Sequence, residues 1–294
     1  MAVNPVVLFV YNRIIHTQRT IASLLGNPLA SSTDLIIYSD GPRNESDLNQ
    51  VENVRQFLTE INGFKSLTIN LSEKNLGLSG SIIHGVSESL QKYDKIIVLE
   101  DDLVVSSFFL MYMNDALNHY QDDDRVASIH GYTYPTDCAL PETFFMPGAD
   151  CWGWATWRRA WSFFNPDGEQ LYKKLKESDK IRKFSFNGHS NHSKLLQQQV
   201  KGKVDSWAIR WHASAYLAGM FTLYPGHSLV QNIGNDGSGT HCGNYNSHLI
   251  KLYEQQVVVN EIEVEVSKVG YDAFEGFFKK SEESIFRKIM RKVF

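Results

Sequence analysis

The run Ile96-Ile97-Val98-Leu99 passes without a break into Glu100-Asp101-Asp102-Leu103, so four apolar residues end in three adjacent carboxylates. An apolar run of this length, bounded by polar residues, suits a strand covered on both faces, as in a parallel sheet. Neighbouring acids repel one another, and gathering them at a strand end costs stability unless a cation or hydrogen-bond donors compensate. A divalent cation is the natural compensation. Hard carboxylate oxygens suit Mg²⁺ or Mn²⁺, which keep waters and take further oxygens from substrate phosphates. An acidic triplet in a solvated turn would need no such partner; the strand that leads into this one favours a site.

Three more β-rich runs precede it: Val6 to Tyr11, Leu35 to Tyr38 and Leu67 to Leu71. Between the four lie His16 to Leu25, Asp47 to Ile61 and Ser79 to Leu90, with apolar residues near helical spacing, for example Val51, Val54, Phe57, Leu58 and Ile61. Alternating strands and helices predict an α/β fold, a doubly wound and mostly parallel sheet. In such sheets ligands bind beyond the carboxyl ends of the strands. Those positions hold Asn12 and Arg13, then Ser39, Asp40 and Gly41, then Asn75 and Gly77, then the triplet, so four strand ends are expected to converge on one site.

Past Asp124 the pattern weakens and aromatic residues crowd in. Every tryptophan of the chain lies there, at Trp152, Trp154, Trp157, Trp161, Trp207 and Trp211, which predicts a second, mixed half on the same sheet. Ser228 to His248 is polar and glycine-rich and reads as a long loop, whereas Gln256 to Val266 alternates strictly and predicts a half-exposed strand. Trp152 and Trp154, two apart, would share one face of a strand, either as core or as an aromatic wall for a sugar.

Composition narrows the function classes. With 29 basic and 33 acidic residues and a formal charge of -4, the chain lacks the basic excess of a general nucleic-acid binder. Cys138, Cys151 and Cys242 show no C-x-x-C spacing, so neither a disulfide framework nor a zinc knuckle is expected, and a reducing cytoplasm fits. The segment from Met1 to Tyr11 has no basic n-region or small-residue cleavage site, and no apolar stretch reaches the roughly 18 residues of a membrane span. A soluble or peripheral protein is expected.

The I-I-V-L-E-D-D-L run resembles the acidic motif of nucleotide-sugar-dependent glycosyltransferases of the GT-A fold, and its E-D-D-L form is most similar to the N-acetylglucosaminyltransferase I group. Phe9 to Arg13 (F-V-Y-N-R), Tyr38 to Gly41 (Y-S-D-G), Asn75 to Ser79 (N-L-G-L-S), Met146 to Trp154 (M-P-G-A-D-C-W-G-W) and Val204 to Trp207 (V-D-S-W) resemble further motifs of that family in the same order, over roughly residues 5 to 245. The resemblance implies a metal-dependent, inverting transfer of N-acetylglucosamine or a related hexose from a UDP-sugar to a glycan hydroxyl, as in bacterial polysaccharide or glycoconjugate synthesis. It implies that Asp102 binds Mn²⁺ or Mg²⁺, Asp101 lies near the ribose and Glu100 contacts the transferred sugar. Tyr11, Arg13, Asp40, Asn75 and Ser79 would hold the donor, Trp152, Gly153 and Trp154 would flank the acceptor, and Asp205 would be the catalytic base. On this division residues 1–270 form the transferase domain, with a donor half of about 1–124 and an acceptor half of about 125–270, followed by a tail at 271–294.

Several positions also fit plainer roles. Asp205 suits a helix N-cap as well as a base, and Ser206 stands where the resembling group often has a second acid. Asp40, Asn75 and Gly77 fit turns. His241, in the glycine-rich loop, would be a metal ligand or diphosphate contact, or simply exposed. His189 and His192 lack an accompanying carboxylate and read as a polar loop. From Ser284, apolar and basic residues segregate at helical spacing, with Arg287, Lys288, Arg291 and Lys292 on one face, which suits either a domain-capping helix or contact with an anionic membrane that carries a lipid-linked acceptor. Two rival functions follow from the same residues: a nucleotidyltransferase, which would normally carry a glycine-rich, lysine-bearing first loop instead of Y-N-R, and a non-catalytic carbohydrate-binding protein, for which the triplet would have no use.

Overall fold

The computed structural model describes residues 3–234, 236 and 250–293, from 282 onward as backbone only. Strands β1 (Val6–Val10), β2 (Asp34–Ser39), β3 (Ser66–Leu71) and β4 (Lys95–Glu100) are joined through helices α1 (Ile14–Leu25), α2 (Glu45–Thr59) and α3 (Gly77–Lys92). Their ladders are all parallel, β2 to β1, β1 to β4 and β3 to β2. The apolar runs are long because helices cover both faces: Val6, Val7 and Ile96 to Leu99 are fully buried. Ile82, Val86 and Leu90, four apart along α3, supply one of those covers.

Beyond β4 the sheet changes direction. β8 (Trp154–Trp157) runs antiparallel to both β4 and β6 (Val126–His130), β9 (Phe221–Pro225) is parallel to β6, and β7 (Thr143–Pro147) closes the edge antiparallel to β9. The result is one eight-stranded sheet in the order β3-β2-β1-β4-β8-β6-β9-β7, parallel on one side of β4 and mixed on the other. A short ladder of β5 (Leu103–Val105) with β10 (Val230–Asn232) stands beside it, so the region read as loop from Ser228 opens with a strand. Helices α4 (Phe109–His119) and α5 (Arg158–Trp161) pack near β8, and α6 (Gly168–Glu177), α7 (Ile181–Phe184) and α8 (His192–Val200) form a small helical group against α9 (Trp207–Leu217).

Three expectations change here. Trp152 and Trp154 do not share a strand face, because Gly153 between them has φ +64°, a left-handed conformation that breaks the extended run. Trp154 is fully buried, with ring centroids 5.4, 5.8 and 6.2 Å from those of Trp207, Trp161 and Trp211; it is core and cannot be an aromatic wall for a sugar. Second, Gln256 to Val266 joins no ladder. Val257 and Val264 turn inward, but the backbone is held by isolated bonds, Val258 N–H to Glu142 Oε1 at 2.9 Å and Tyr120 Oη–H to the Asn260 carbonyl at 3.0 Å. Alternation specifies side-chain direction, whereas a ladder also needs a free edge alongside. Third, His192 is not in a polar loop: it opens α8 and its ring lies 4.8 Å from that of His212.

The C-terminal helix, α10 (Lys268–Val293), begins before the expected boundary at 271. Its first part packs on the sheet edge, Phe274 meeting Phe144 and Tyr224 at 5.7 and 5.3 Å. Among the described residues no helix is long and apolar enough to cross a membrane.

Candidate functional site

The acids at the end of β4 face the ends of β1 and β2, as the parallel half requires. Arg13, just past β1, donates through Nη2 to Asp101 Oδ1 and, at 2.8 Å, to Asp102 Oδ2. The Tyr11 N–H reaches Asp101 Oδ2 at 3.3 Å, and Thr20 Oγ1 donates to the Asp101 carbonyl at 2.8 Å. The Glu100 backbone belongs to the β4 ladder, but its carboxylate forms no hydrogen bond or ion pair with the described residues. Burial, with the Asp102 and Asp101 charges, pushes its carboxyl far above the usual range, against the opposing pull of Arg13. Asp101 is also raised by burial, less so because Arg13 favours its ionised form. Three acids thus share one guanidinium, and a further positive charge would relieve the remaining repulsion.

Asp102 lies under the segment that leaves β10. Its carbonyl accepts from Ile233 N–H at 2.8 Å, and a β-carbon on Gly234 would stand 2.1 Å from Asp102 Oδ2, so only glycine fits there. Asp236, next along, reaches back to His16 Nε2 at 3.2 Å. No group of three metal-ligating side chains converges among the described residues. Magnesium and manganese held with a substrate diphosphate need only one or two protein carboxylates, so a site built on Asp102 fits such an ion and not a protein-caged one. His241 lies outside the described residues.

The remaining residues expected to hold the donor divide. Tyr11 Oη–H donates to Asp47 Oδ2 at 2.7 Å and its ring lies under the Arg43 guanidinium at 5.4 Å, so the first strand end is braced by α2. Asp40 is buried and accepts from Gly41 N–H, Leu76 N–H and Asn75 Nδ2 at 2.9, 2.8 and 3.1 Å. Asp40 and Asn75 therefore meet as expected, but as a clasp that ties the end of β2 to the start of α3. Ser79 is not a donor contact: it is buried within α3, where its Oγ accepts from Arg210 Nη2 at 3.1 Å.

That same Arg210 nitrogen reaches Asp205 Oδ1 at 3.3 Å. Asp205, 63% exposed, thus stands at the foot of α9, linked through Arg210 to Ser79 of α3, while the N-cap of α9 is Ser206, whose side chain accepts from Ile209 N–H. The capping role that suits Asp205 by sequence belongs to its neighbour, leaving its carboxylate largely facing solvent. Arg210 lay unmarked in the sequence, although its position five residues after Asp205 and one turn into the helix was a signal.

On the other flank of β4, Gly153 approaches Leu99 and the chain doubles back through Trp152, Cys151 and Asp150. Asp150 accepts from the hydroxyls of Tyr134 and Tyr224, both at 3.1 Å, and from Cys151 N–H at 2.8 Å. Burial disfavours its charge, but the fields of nearby His130, His212 and His192 and the Cys151 N–H outweigh that and hold its carboxyl below the usual range. Burial drives the three histidines the other way, down, His212 to about 3. Asp150 sits inside the quoted M-P-G-A-D-C-W-G-W run and was passed over for its tryptophans.

No family model matches the chain, and no curated protein matches it. Solved structures do. The chain is similar to a protein described as a nucleotide-diphospho-sugar transferase from Desulfovibrio desulfuricans G20, at 12% identity and a TM-score of 0.34, over 57% of this chain and 68% of that one. It is similar to the mannosyltransferase PcManGT from Pyrobaculum calidifontis in complex with GDP-Man and Mn²⁺, at 11% identity and a TM-score of 0.38, over 73% and 70%. A cytidylyltransferase from Leptospira borgpetersenii serovar Hardjo-bovis matches at 11% identity and 0.32, over 59% and 65%.

Proposed function

We propose that this chain is a glycosyltransferase that takes a sugar, N-acetylglucosamine or a related hexose, from a UDP-linked donor and places it on a glycan hydroxyl with inversion, in bacterial surface polysaccharide or glycoconjugate synthesis. The observation that carries the proposal is the set of Glu100, Asp101 and Asp102 at the end of the central strand, with Arg13 as the cation that faces them. On this reading residues 1–124 hold the donor, 125–270 the acceptor, and 271–294 form the tail.

Asp102 would hold Mn²⁺ or Mg²⁺, which supplies charge neutralisation for the departing diphosphate. Arg13 fixes the orientation of Asp101 and Asp102 on the donor side. Tyr11, braced by Asp47 and Arg43, offers a ring edge at the first strand end, and the Asp40–Asn75 clasp shapes the wall opposite. Asp205 takes the proton of the acceptor hydroxyl, a role open to an exposed carboxylate whose helix is already capped by Ser206. Inversion follows from a single displacement, with Asp205 opposite the leaving group.

The acceptor is a glycan or a lipid-linked glycan, reached at the inner face of the membrane through the basic residues of 284–294. Removing everything after Glu283 should then abolish binding to anionic vesicles and spare transfer to a soluble acceptor. The central test is a thermal shift with UDP, with and without Mn²⁺, followed by nucleotide-sugar turnover. Metal-dependent protection by UDP and release of UDP from UDP-sugars is the expected result. Pyrophosphate release from UTP or CTP with a sugar phosphate would replace this reading with nucleotidyl transfer.

A further inference from the structure

Between Lys173 and Lys203 lie nine basic residues and two acidic ones, in a chain whose formal charge is -4. Most of the excess falls in one stretch, where Lys173, Lys174, Lys176, Lys180, Arg182 and Lys183 accompany only Glu177 and Asp179. The sugar-transfer chemistry above uses none of these side chains. The fold explains why they collect. On α6 the inward row is Leu171 and Leu175, on α7 it is Phe184 and on α8 it is Leu196, and these share one core with Ile209 and Ala213 of α9. The polar positions are therefore turned outward: Lys173, Lys174, Lys176, Arg182, Lys183 and, on α8, Lys194 are exposed.

Most of this charge has no opposite charge to meet. Among the described residues only Lys173 of that stretch forms an ion pair, with Glu177 at 3.8 Å, and the Lys176 ammonium lies 5.9 Å from the centroid of the Tyr172 ring. Like charges crowded on one surface repel one another, so an external anion is favoured there.

The C-terminal helix leaves the domain beside this face. Phe278 of α10 meets Phe186 and His192, at the turn between α7 and α8, with ring centroids 5.0 and 5.8 Å away, and Asn187 Nδ2 donates to Glu275 Oε1 at 3.0 Å. One residue on, Lys279 is exposed, and the helix continues to Val293 through Arg287, Lys288, Arg291 and Lys292. Basic face and basic tail thus meet at one place. A small anion draws a few cations around one point. Here the charge spreads over helices that share a core and runs on into the tail, which matches an extended anionic surface. A bilayer with anionic lipids is such a surface: each lysine or arginine near it adds to the attraction, and stable anchoring takes two attachments, since a single one is marginal and reversible.

We infer that the outer face of α6 and α7, with Lys194 of α8, is a second membrane contact that lies on anionic lipid headgroups and acts together with the tail. α9 stands between that face and the sheet, packed on α6 and α8 through the shared core and on Trp154 through Trp207 and Trp211, so the contact would fix the height of Asp205 over the bilayer. A lipid-linked acceptor would then meet the base at a set distance from its anchor.

The assignment rests on the reading of 284–294 as a membrane contact, and its test keeps the two apart. Four proteins are sedimented with vesicles of phosphatidylcholine, alone or mixed with phosphatidylglycerol: the full-length wild type, the chain ending at Glu283, a combined Lys174→Gln, Lys176→Gln and Lys183→Gln variant, and a control that removes the same charge elsewhere, Lys65→Gln, Lys92→Gln and Lys268→Gln. Wild type and control should bind the mixed vesicles and not the neutral ones, and truncation should abolish binding. The face variant should bind at least about tenfold more weakly, while its Tm matches the control and its UDP-sugar turnover with a soluble acceptor stays within about twofold of wild type. Unchanged vesicle binding in the face variant, with binding lost on truncation, would overturn the face and leave the tail standing. A fall in soluble turnover as large as the fall in vesicle binding would also overturn it. Binding that survives truncation but falls in the face variant would support the face and overturn the tail. A loss confined to the soluble polyanion polygalacturonate would overturn the membrane contact and assign the surface to an anionic glycan. A wild type that binds no anionic vesicle overturns face and tail together and leaves the sugar-transfer chemistry untouched.

Discussion

Two sets of carboxylates flank β4, and they are satisfied in opposite ways. On the donor flank, Asp101 and Asp102 lean on a guanidinium, with Glu100 left over. On the other flank, Asp150 takes hydrogen bonds from two phenols, a backbone N–H and the Cys151 thiol, in the field of three histidines and with no lysine or arginine paired to it among the described residues. Charge met by charge invites a further cation, because the acids outnumber Arg13. Charge met by hydroxyls, an N–H and a thiol asks for none.

The largest effect should come from removing the cation-binding side. Asp102→Ala is expected to lower transfer at least about 10³-fold and to erase metal-dependent UDP protection; measured turnover near wild type would break the contrast at its root. Asp205→Ala should cost about 10²-fold in kcat while leaving UDP protection intact, since its carboxylate acts on the acceptor proton. Arg13→Met strips the acids of their described cation and should cost about 3 kcal/mol of stability, partly restored by Mn²⁺, in urea titrations. No loss, or no rescue, would mean that the triplet does not depend on positive charge.

Smaller effects sharpen the same contrast. Gly234→Ala would drive a methyl group onto Asp102, so UDP protection should weaken about tenfold at a stability cost of about 1–3 kcal/mol; an unaffected Mn²⁺ response would place the ion elsewhere. The flank around Asp150 should respond to pH. His212 has a folded value of about 3 against roughly 6.5 when unfolded, so between those values the unfolded chain holds the extra proton. The contribution of His212 to stability should therefore be steady above about pH 6.5 and fall as pH drops toward 3. His212→Asn should flatten the decline of Tm between pH 7 and 5, and equal slopes would deny the histidine that role.

The parallel half was legible because each of its elements carries its own signal. Ile96 to Leu99 must be buried on both faces, and Ile82, Val86 and Leu90 repeat at helical spacing, so local pattern and tertiary position agree. The acid triplet was legible for the same reason, as a violation at a strand end. The second flank depends on partners far apart in the chain. Tyr134 and Tyr224 reach Asp150 across 16 and 74 residues, and Arg210 reaches Ser79 across 131, which no local period records. Ser79 therefore passed for a donor contact, and Trp154 could not be told from Trp152 until the backbone of Gly153 separated them. Alternation in Gln256 to Val266 foretold the inward Val264, but Val266 on the same parity is exposed, Val257 on the other is buried, and no neighbouring edge pairs with the segment.

The tryptophan cluster gives the molecule a built-in light source. Trp154, Trp161, Trp207 and Trp211 are packed ring to ring, so excitation shared among them reports on the junction of β8, α5 and α9 and stays dark to aqueous quenchers. Trp152 lies outside that cluster and nearer the solvent. Acrylamide should therefore quench a minority of the emission, and a ligand seated against Trp152 would shield that fraction alone, an optical reading of occupancy that needs neither label nor turnover.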